Sequence, residues 1–282
     1  MKLVRFGAPG AEKPGILDGT GRIRDLSGHV PDFAGDGVGP DRLAEIARID
    51  RESLPLAPEG VRIGPPVGDV RNFIGIGLNY ADHAAEAGLP IPDEPVIFNK
   101  IGNSIVGPDD DVMMPRNAQK MDYEVELAFV ISKRARYVSE ADAMDYIAGF
   151  CICNDVSERH FQMERSGQWV KGKCAETFGP LGPWLVTPDE VDAGKLGLWL
   201  DVNGERRQTG TTATMIFSVP FMLAYISEFM VLEPGDVVTT GTPPGVALGM
   251  KEPKKWLKAS DVMHLGIDGL GEQRQTVVPF KL

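Results

Sequence analysis

Asp122-Tyr123-Glu124-Val125-Glu126-Leu127-Ala128-Phe129-Val130 is the most informative stretch of this chain. Its β-branched and aromatic residues predict a strand over Tyr123 to Ile131. Side chains two apart on a strand point the same way, so Glu124 and Glu126 share a face. Two explanations fit that pattern: a solvated face whose apolar partner side is buried, or a pair of carboxylates serving a hard, oxygen-seeking cation.

Working outward, the apolar run Gly149-Phe150-Cys151-Ile152-Cys153-Asn154 ends in Asp155. A third carboxylate at a strand end can join the other two, and three acidic oxygens plus waters suffice for Mg²⁺. Asp155 also reads as the N-cap of a helix starting at Val156. In the other direction, Asn79-Tyr80-Ala81-Asp82-His83-Ala84-Ala85-Glu86-Ala87 predicts a helix on which His83 and Glu86 are neighbours. A glutamate there can orient or charge an imidazole that acts as general base, although an exposed His–Glu pair has the same spacing. His29, His160 and His264 show no such partner pattern. Lys173, in Trp169-Val170-Lys171-Gly172-Lys173-Cys174, follows the acidic strand, where an ammonium can stabilise an enolate or carboxylate. Thr239-Thr240-Gly241-Thr242-Pro243-Pro244-Gly245 can offer backbone N–H groups and a hydroxyl to an anion, and otherwise reads as a turn.

Bulk properties bound the function. With 282 residues, 43% of them hydrophobic, the chain can fill a substantial core. A formal charge of −11 argues against a nucleic-acid binder, which relies on clustered Lys and Arg. The N-terminal Met1-Lys2-Leu3-Val4-Arg5-Phe6-Gly7 lacks the apolar region of a signal peptide, and no run approaches the about 20 apolar residues of a membrane span. A cytosolic protein without nucleic-acid or membrane partners is expected. Cys151, Cys153 and Cys174 cannot all pair and read as small apolar fillers kept reduced.

Pro55, Pro58, Gly60, Gly64, Pro65 and Pro66 mark a boundary, predicting a small N-terminal domain over 1–68 and a catalytic domain over 69–282. Strands are expected at Phe73 to Ile76, Val96 to Asn99, Leu196 to Val202 and Val237 to Thr240, with helices at Glu140 to Ile147 and Pro220 to Phe229. Helices are too few and irregular for a doubly wound fold. Gly75-Ile76-Gly77 lacks the third glycine of a dinucleotide fingerprint, and no Gly-x-Ser-x-Gly elbow occurs.

Four pieces in this order, Gly77-Leu78-Asn79-Tyr80-Ala81-Asp82-His83, Asp122-Tyr123-Glu124-Val125-Glu126-Leu127, Asn154-Asp155-Val156-Ser157 and Thr240-Gly241-Thr242-Pro243, resemble the fumarylacetoacetate hydrolase superfamily from about residue 70 onward. The resemblance implies a mixed β-sheet roll, a β-dominated α+β fold, with a Mg²⁺ or Mn²⁺ ion and usually a homodimer. It implies Glu124, Glu126 and Asp155 as metal ligands, His83 and Glu86 as a dyad on a lid helix, and Lys173 as a substrate-facing lysine. Thr242, with Gly241 beside it, matches the threonine that binds the substrate carboxylate, and Gln162 falls near a position that holds water or substrate. Leu78 stands where some acylpyruvase-like members have arginine. Glu12-Lys13-Pro14-Gly15-Ile16-Leu17-Asp18 and Gly266-Ile267-Asp268-Gly269-Leu270-Gly271-Glu272 look most like bacterial 2,4-diketo-3-deoxy-L-rhamnonate hydrolases, whose close relatives include proteins labelled ureidoglycolate lyase.

The activity expected from this resemblance is metal-dependent hydrolytic cleavage of a carbon–carbon bond in a 2,4-dioxo acid. The deoxyrhamnonate derivative, giving pyruvate and lactate, is the leading substrate. Ureidoglycolate lyase, oxaloacetate decarboxylase, and isomerase or hydratase chemistry on aromatic-degradation intermediates are the alternatives. A decarboxylase would need the metal and Lys173 but no attacking water, so its activity would survive loss of His83.

Overall fold

The computed structural model describes residues 1–87 and 90–282, with the side chains of His83, Ala85 and Ala87 outside the description. In chain order its strands and helices are β1 (Lys2–Phe6), β2 (Lys13–Leu17), β3 (Ile23–Asp25), α1 (Pro40–Ala47), β4 (Phe73–Gly77), α2 (Ala81–Ala87), β5 (Val96–Lys100), β6 (Ile105–Val106) and β7 (Val112–Met113). Then come β8 (Met121–Asp122), β9 (Val125–Ile131), β10 (Ile147–Asn154), β11 (Ser157–Glu158), α3 (Arg159–Met163), α4 (Val170–Lys173) and β12 (Gly179–Val186). The chain finishes with β13 (Gly197–Val202), β14 (Glu205–Thr211), α5 (Val219–Phe229), β15 (Val237–Thr239), β16 (Val262–Ile267) and β17 (Gly271–Val278).

One large sheet runs β3-β2-β1-β12-β10-β9-β15-β4-β5, with β6 added beside β12. A five-stranded sheet, β14-β13-β16-β17-β7, covers one face of it, and β8 pairs with β11 separately. Most neighbours are antiparallel, but β15 with β4, β6 with β12 and β7 with β17 are parallel, which makes the roll mixed. The fold is therefore the β-dominated α+β architecture that the resemblance implied. β1 lies directly on β12, so the first strands extend the sheet that carries the rest.

β9 explains why the sheet is so apolar. Leu127, Phe129 and Ile131 point into the core shared with the smaller sheet, where they meet Leu198, Leu200 and Leu265. Ala128 and Val130 point into a second core, with Leu3, Cys151 and Leu181. A strand buried on both faces must be apolar at nearly every position, and β9 is. Glu126 is its exception, which puts a carboxylate inside the protein.

Several expected boundaries shift. The strand expected from Tyr123 begins at Val125, leaving Glu124 in the link from β8. Glu140 to Ile147 forms a 3₁₀ helix over Glu140–Tyr146, capped by Ser139, because Ile147 is needed to open β10. The helix expected at Val156 starts instead at Arg159, since Ser157 and Glu158 pair with Asp122 and Met121. Glu158, not Asp155, caps it by accepting from the His160 N–H. The three cysteines are free, and Cys151 and Cys153 are buried as fillers. Among the described residues no helix is long and apolar enough to cross a membrane.

Candidate active site

The antiparallel register of β9 and β10 sets Cys153 opposite Glu126 and Asn154 opposite Val125. One step further along, the Asp155 N–H donates to the Glu124 carbonyl at 2.9 Å, so the ladder continues beyond the strand ends. Alternation then brings Glu124, Glu126 and Asp155 to one face. One oxygen from each lies within 4.8 Å of the others, and all three residues are buried. The solvated-face explanation of Glu124 and Glu126 is overturned: they are 5% and 2% exposed.

Buried carboxylates need compensation. Lys173 Nζ donates to Glu124 Oε2 at 2.7 Å and to Asp155 Oδ2 at 2.6 Å, bridging two of the three. Lys100 Nζ donates to Asp155 Oδ1 at 2.6 Å and to the carbonyls of Lys173 and Phe178 at 2.7 and 3.1 Å. Arg159 reaches Glu124 Oε1 at 2.5 Å, Asp122 Oδ2 at 2.8 Å and Gln162 Oε1 at 3.0 Å. Glu126 receives the Gly241 N–H at 3.0 Å, and among the described residues no side-chain cation hydrogen-bonds to it.

The electrostatics follow from those contacts. Burial alone would raise the Glu124 carboxyl, but Arg159 and Lys173 together bring it down to about 2. Burial, Asp155 and Glu124 all push Glu126 well above the ordinary carboxyl range. Burial opposes the Lys173 ammonium, yet Asp155 and Glu124 outweigh it and hold the group protonated. Three cations (Lys100, Lys173, Arg159) face four carboxylates (Asp122, Glu124, Glu126, Asp155), so full ionisation leaves one negative charge in excess. Three converging carboxylate oxygens with unbalanced negative charge are a donor set that fits a hard divalent cation.

A single segment ties the surroundings together. Its Gly241 N–H meets Glu126; its Gly245 N–H lies 3.1 Å from each carboxylate oxygen of Glu86. Its Ala247 and Leu248 N–H groups donate to Asp122 at 2.7 and 3.1 Å. Gly241 has φ +93°, a left-handed conformation, and a Cβ there would sit 3.0 Å from that of Asn79. Gly249 is close against α2, because a Cβ there would lie 2.5 Å from Glu86 Cδ. Within the 239–245 stretch, Gly241 and Gly245 thus offer their N–H groups to the protein's own carboxylates. Thr242 Oγ1 donates to the Val125 carbonyl at 2.9 Å and accepts from Gln208 at 2.8 Å, while the residue lines the cleft.

Above the triad opens a cleft of about 80 Å³. Glu124, Glu126, Arg159, Gln162, Lys173 and Thr242 form its polar floor. The amide nitrogen of Gln162 has no hydrogen bond among the described residues, so a donor faces the cleft. Larger surface grooves, such as one of about 440 Å³ beside Asp36, Arg42 and Lys133, contain none of the triad. His83 belongs to α2, but its side chain, and with it the expected His83–Glu86 geometry, lies outside the described residues. Contrary to expectation, His160 and His264 do have partners, Glu164 at 3.1 Å and Glu272 at 2.8 Å.

Lys100, Asp122 and Arg159 were not singled out from sequence. Lys100 carried a faint signal, since it shares the inward side of β5 with Phe98, two residues away. Asp122 sits two residues before Glu124 in the quoted motif. Arg159 looked like part of a first helical turn, and only the tertiary structure turns it onto Glu124.

The profile of the family described as "Fumarylacetoacetate (FAA) hydrolase C-terminal" matches residues 72–278. A Burkholderia cenocepacia protein named "Putative hydrolase" is 58% identical over 277 residues, 98% of each chain. The fumarylacetoacetate hydrolase of psychrophilic Exiguobacterium antarcticum superposes with a TM-score of 0.87 at 35% identity, covering 99% of this chain and 100% of its own. The maleylpyruvate hydrolase of Sphingobium sp. SYK-6, solved with manganese(II) and pyruvate, gives 0.83 at 27% identity with complete coverage of both chains.

Proposed function

The chain belongs to the fumarylacetoacetate hydrolase family, and from that membership and the geometry of its cleft we propose that it hydrolyses the C3–C4 bond of a 2,4-dioxo acid, releasing pyruvate. The observation that carries the proposal is the buried triad of Glu124, Glu126 and Asp155, with the Lys173 ammonium against it, at a cleft that Gly77 and Leu78, shortly before α2, help to line. The leading substrate is 2,4-diketo-3-deoxy-L-rhamnonate, with lactate as second product. The manganese and pyruvate of the Sphingobium relative support a Mn²⁺ or Mg²⁺ ion and a pyruvate product here.

Glu124, Glu126 and Asp155 would hold the ion, which when bound supplies Lewis-acid stabilisation of negative charge on the substrate. His83 takes a proton from water as the water oxygen bonds to C4. Collapse of the tetrahedral species breaks C3–C4, and its electron pair leaves as pyruvate enolate, protonated at C3 to give pyruvate. C4 departs as a carboxylic acid. Lys173, protonated and buried, stabilises the enolate, and Gln162 offers its amide nitrogen to water or substrate. Thr242 and Gly241 border the carboxylate end.

The test is pyruvate release from 2,4-diketo-3-deoxy-L-rhamnonate, acetylpyruvate and oxaloacetate, with Mg²⁺ or Mn²⁺ and with EDTA. EDTA-sensitive cleavage of the dioxo acids, lost about 100-fold or more in His83→Ala, supports the reading. Turnover of oxaloacetate alone that survives His83→Ala would replace it with decarboxylation. Product without pyruvate would point to the isomerase or ureidoglycolate alternative.

We also propose a homodimer, which light scattering after size exclusion would test. The same proposal treats 1–68 as a small unit docked on 69–282 through β1 on β12 and the Arg62–Asp110 ion pair at 2.5 Å. Its test is limited proteolysis, expected to cut near residue 68.

A further inference from the structure

We propose that the cleft selects 2,4-dioxo acids whose group beyond C4 is uncharged and largely apolar, and rejects those ending in a second carboxylate; this rests on the 2,4-dioxo-acid reading above. The polar floor is matched by a wall of Ile76, Leu78, Phe98, Met163, Trp169 and Leu248. Phe98 and Trp169 pack together with ring centroids 5.4 Å apart, which joins two members of this wall. Leu78 is held at φ +55°, a conformation uncommon for leucine, and still lines the cleft.

A distal carboxylate would find no counterion on this wall. Among the described residues the cations lining the cleft are Arg159 and Lys173, both on the polar floor, where they pair with Asp122, Glu124 and Asp155. Lys254 donates its ammonium to the carbonyl of Leu248, which lines the cleft. The sequence of α2, Ala81–Ala87, contains no Lys or Arg, and its acidic residues are Asp82 and Glu86. The 1-hydroxyethyl group of the deoxyrhamnonate derivative is uncharged and falls within this class.

The experiment compares two acids of equal chain length, 2,4-dioxohexanoate and 2,4-dioxohexanedioate, by kcat/KM. Alongside, calorimetry with Mn²⁺ measures binding of the uncleavable probes 2-oxohexanoate and 2-oxoadipate. An unpaired charge on an apolar wall should cost the dicarboxylates about 100-fold in both readouts. Leu78→Arg, or Met163→Arg at a more exposed position should Leu78→Arg not fold, should narrow that gap at least about tenfold. Equal or better binding and cleavage of the dicarboxylates would overturn the proposal. Absence of cleavage for both acids would instead sink the 2,4-dioxo reading, and the binding ratio would still decide selectivity.

Discussion

Replacing Lys100 with methionine removes an ammonium that makes no contact with solvent while preserving most of its apolar stem. The side chain is fully buried, and its three hydrogen bonds, at 2.6, 2.7 and 3.1 Å, would all be lost. Asp155 would keep Lys173 on one oxygen but lose its partner on the other. The carbonyls of Lys173 and Phe178 would be left without this donor in the interior. Breaking a buried ion pair from one side costs about 3–5 kcal/mol, and the residual pairing with Lys173 argues for the lower end of that range. A domain of ordinary stability remains folded after such a loss. Urea unfolding followed by fluorescence, with EDTA present, should show a lower midpoint at unchanged m. Because Lys100 also holds the carbonyl of Lys173, kcat should fall even at saturating Mn²⁺. A loss below about 1 kcal/mol would refute the reasoning, since it would mean that Asp155 is compensated without Lys100.

Other perturbations separate the parts of the site. Glu126→Gln should weaken Mn²⁺ binding by about 100-fold or more in calorimetry. It should also leave the metal-free protein as stable or more stable above neutral pH, because burial, Asp155 and Glu124 penalise the ionised form that glutamine removes; unchanged metal affinity would break the ligand assignment. Gly249→Ala places a methyl group 2.5 Å from Glu86 Cδ and should lower kcat/KM by about 10- to 100-fold without changing Mn²⁺ affinity, whereas unaltered kinetics would separate the packing of α2 from catalysis. Burial raises the Asp110 carboxyl, but Arg62 and the Gly107 N–H outweigh it and leave it below its usual 3.8. The stability from this pair is therefore present above that value and lost as pH falls through the depressed one. Arg62→Ala should cost about 1 kcal/mol at pH 7, a difference that shrinks on strong acidification as Asp110 and Glu12 protonate and only the bond to the Gly7 carbonyl is left; a pH-independent difference would contradict the ion-pair account.

Much of the site could be read from local pattern. Glu124 and Glu126 are two residues apart, so strand alternation alone placed them on one face, and the apolar run before Asp155 put that carboxylate at a strand end. The pieces around His83, Glu124, Asp155 and Thr242 lie in an order that implied the family, and the mixed, sheet-dominated roll followed. What sequence did not contain was the pairing of β9 with β10, and without that register the distance from Asp155 to the glutamates is undefined. It also could not say whether those carboxylates meet water, because burial depends on the smaller sheet and on helices contributed from distant segments.

Lys100, Asp122 and Arg159 show the same limit from the other side. Each looks ordinary among its sequence neighbours, and each acquires its partner only when segments up to 125 residues apart converge, as the Ala247 N–H does on Asp122. The sequence by itself determined which residue types were available for chemistry and the periodicity that sorts them onto faces. The tertiary structure alone decided how their charges are balanced, because Coulomb interaction and desolvation depend on distances in space rather than along the chain.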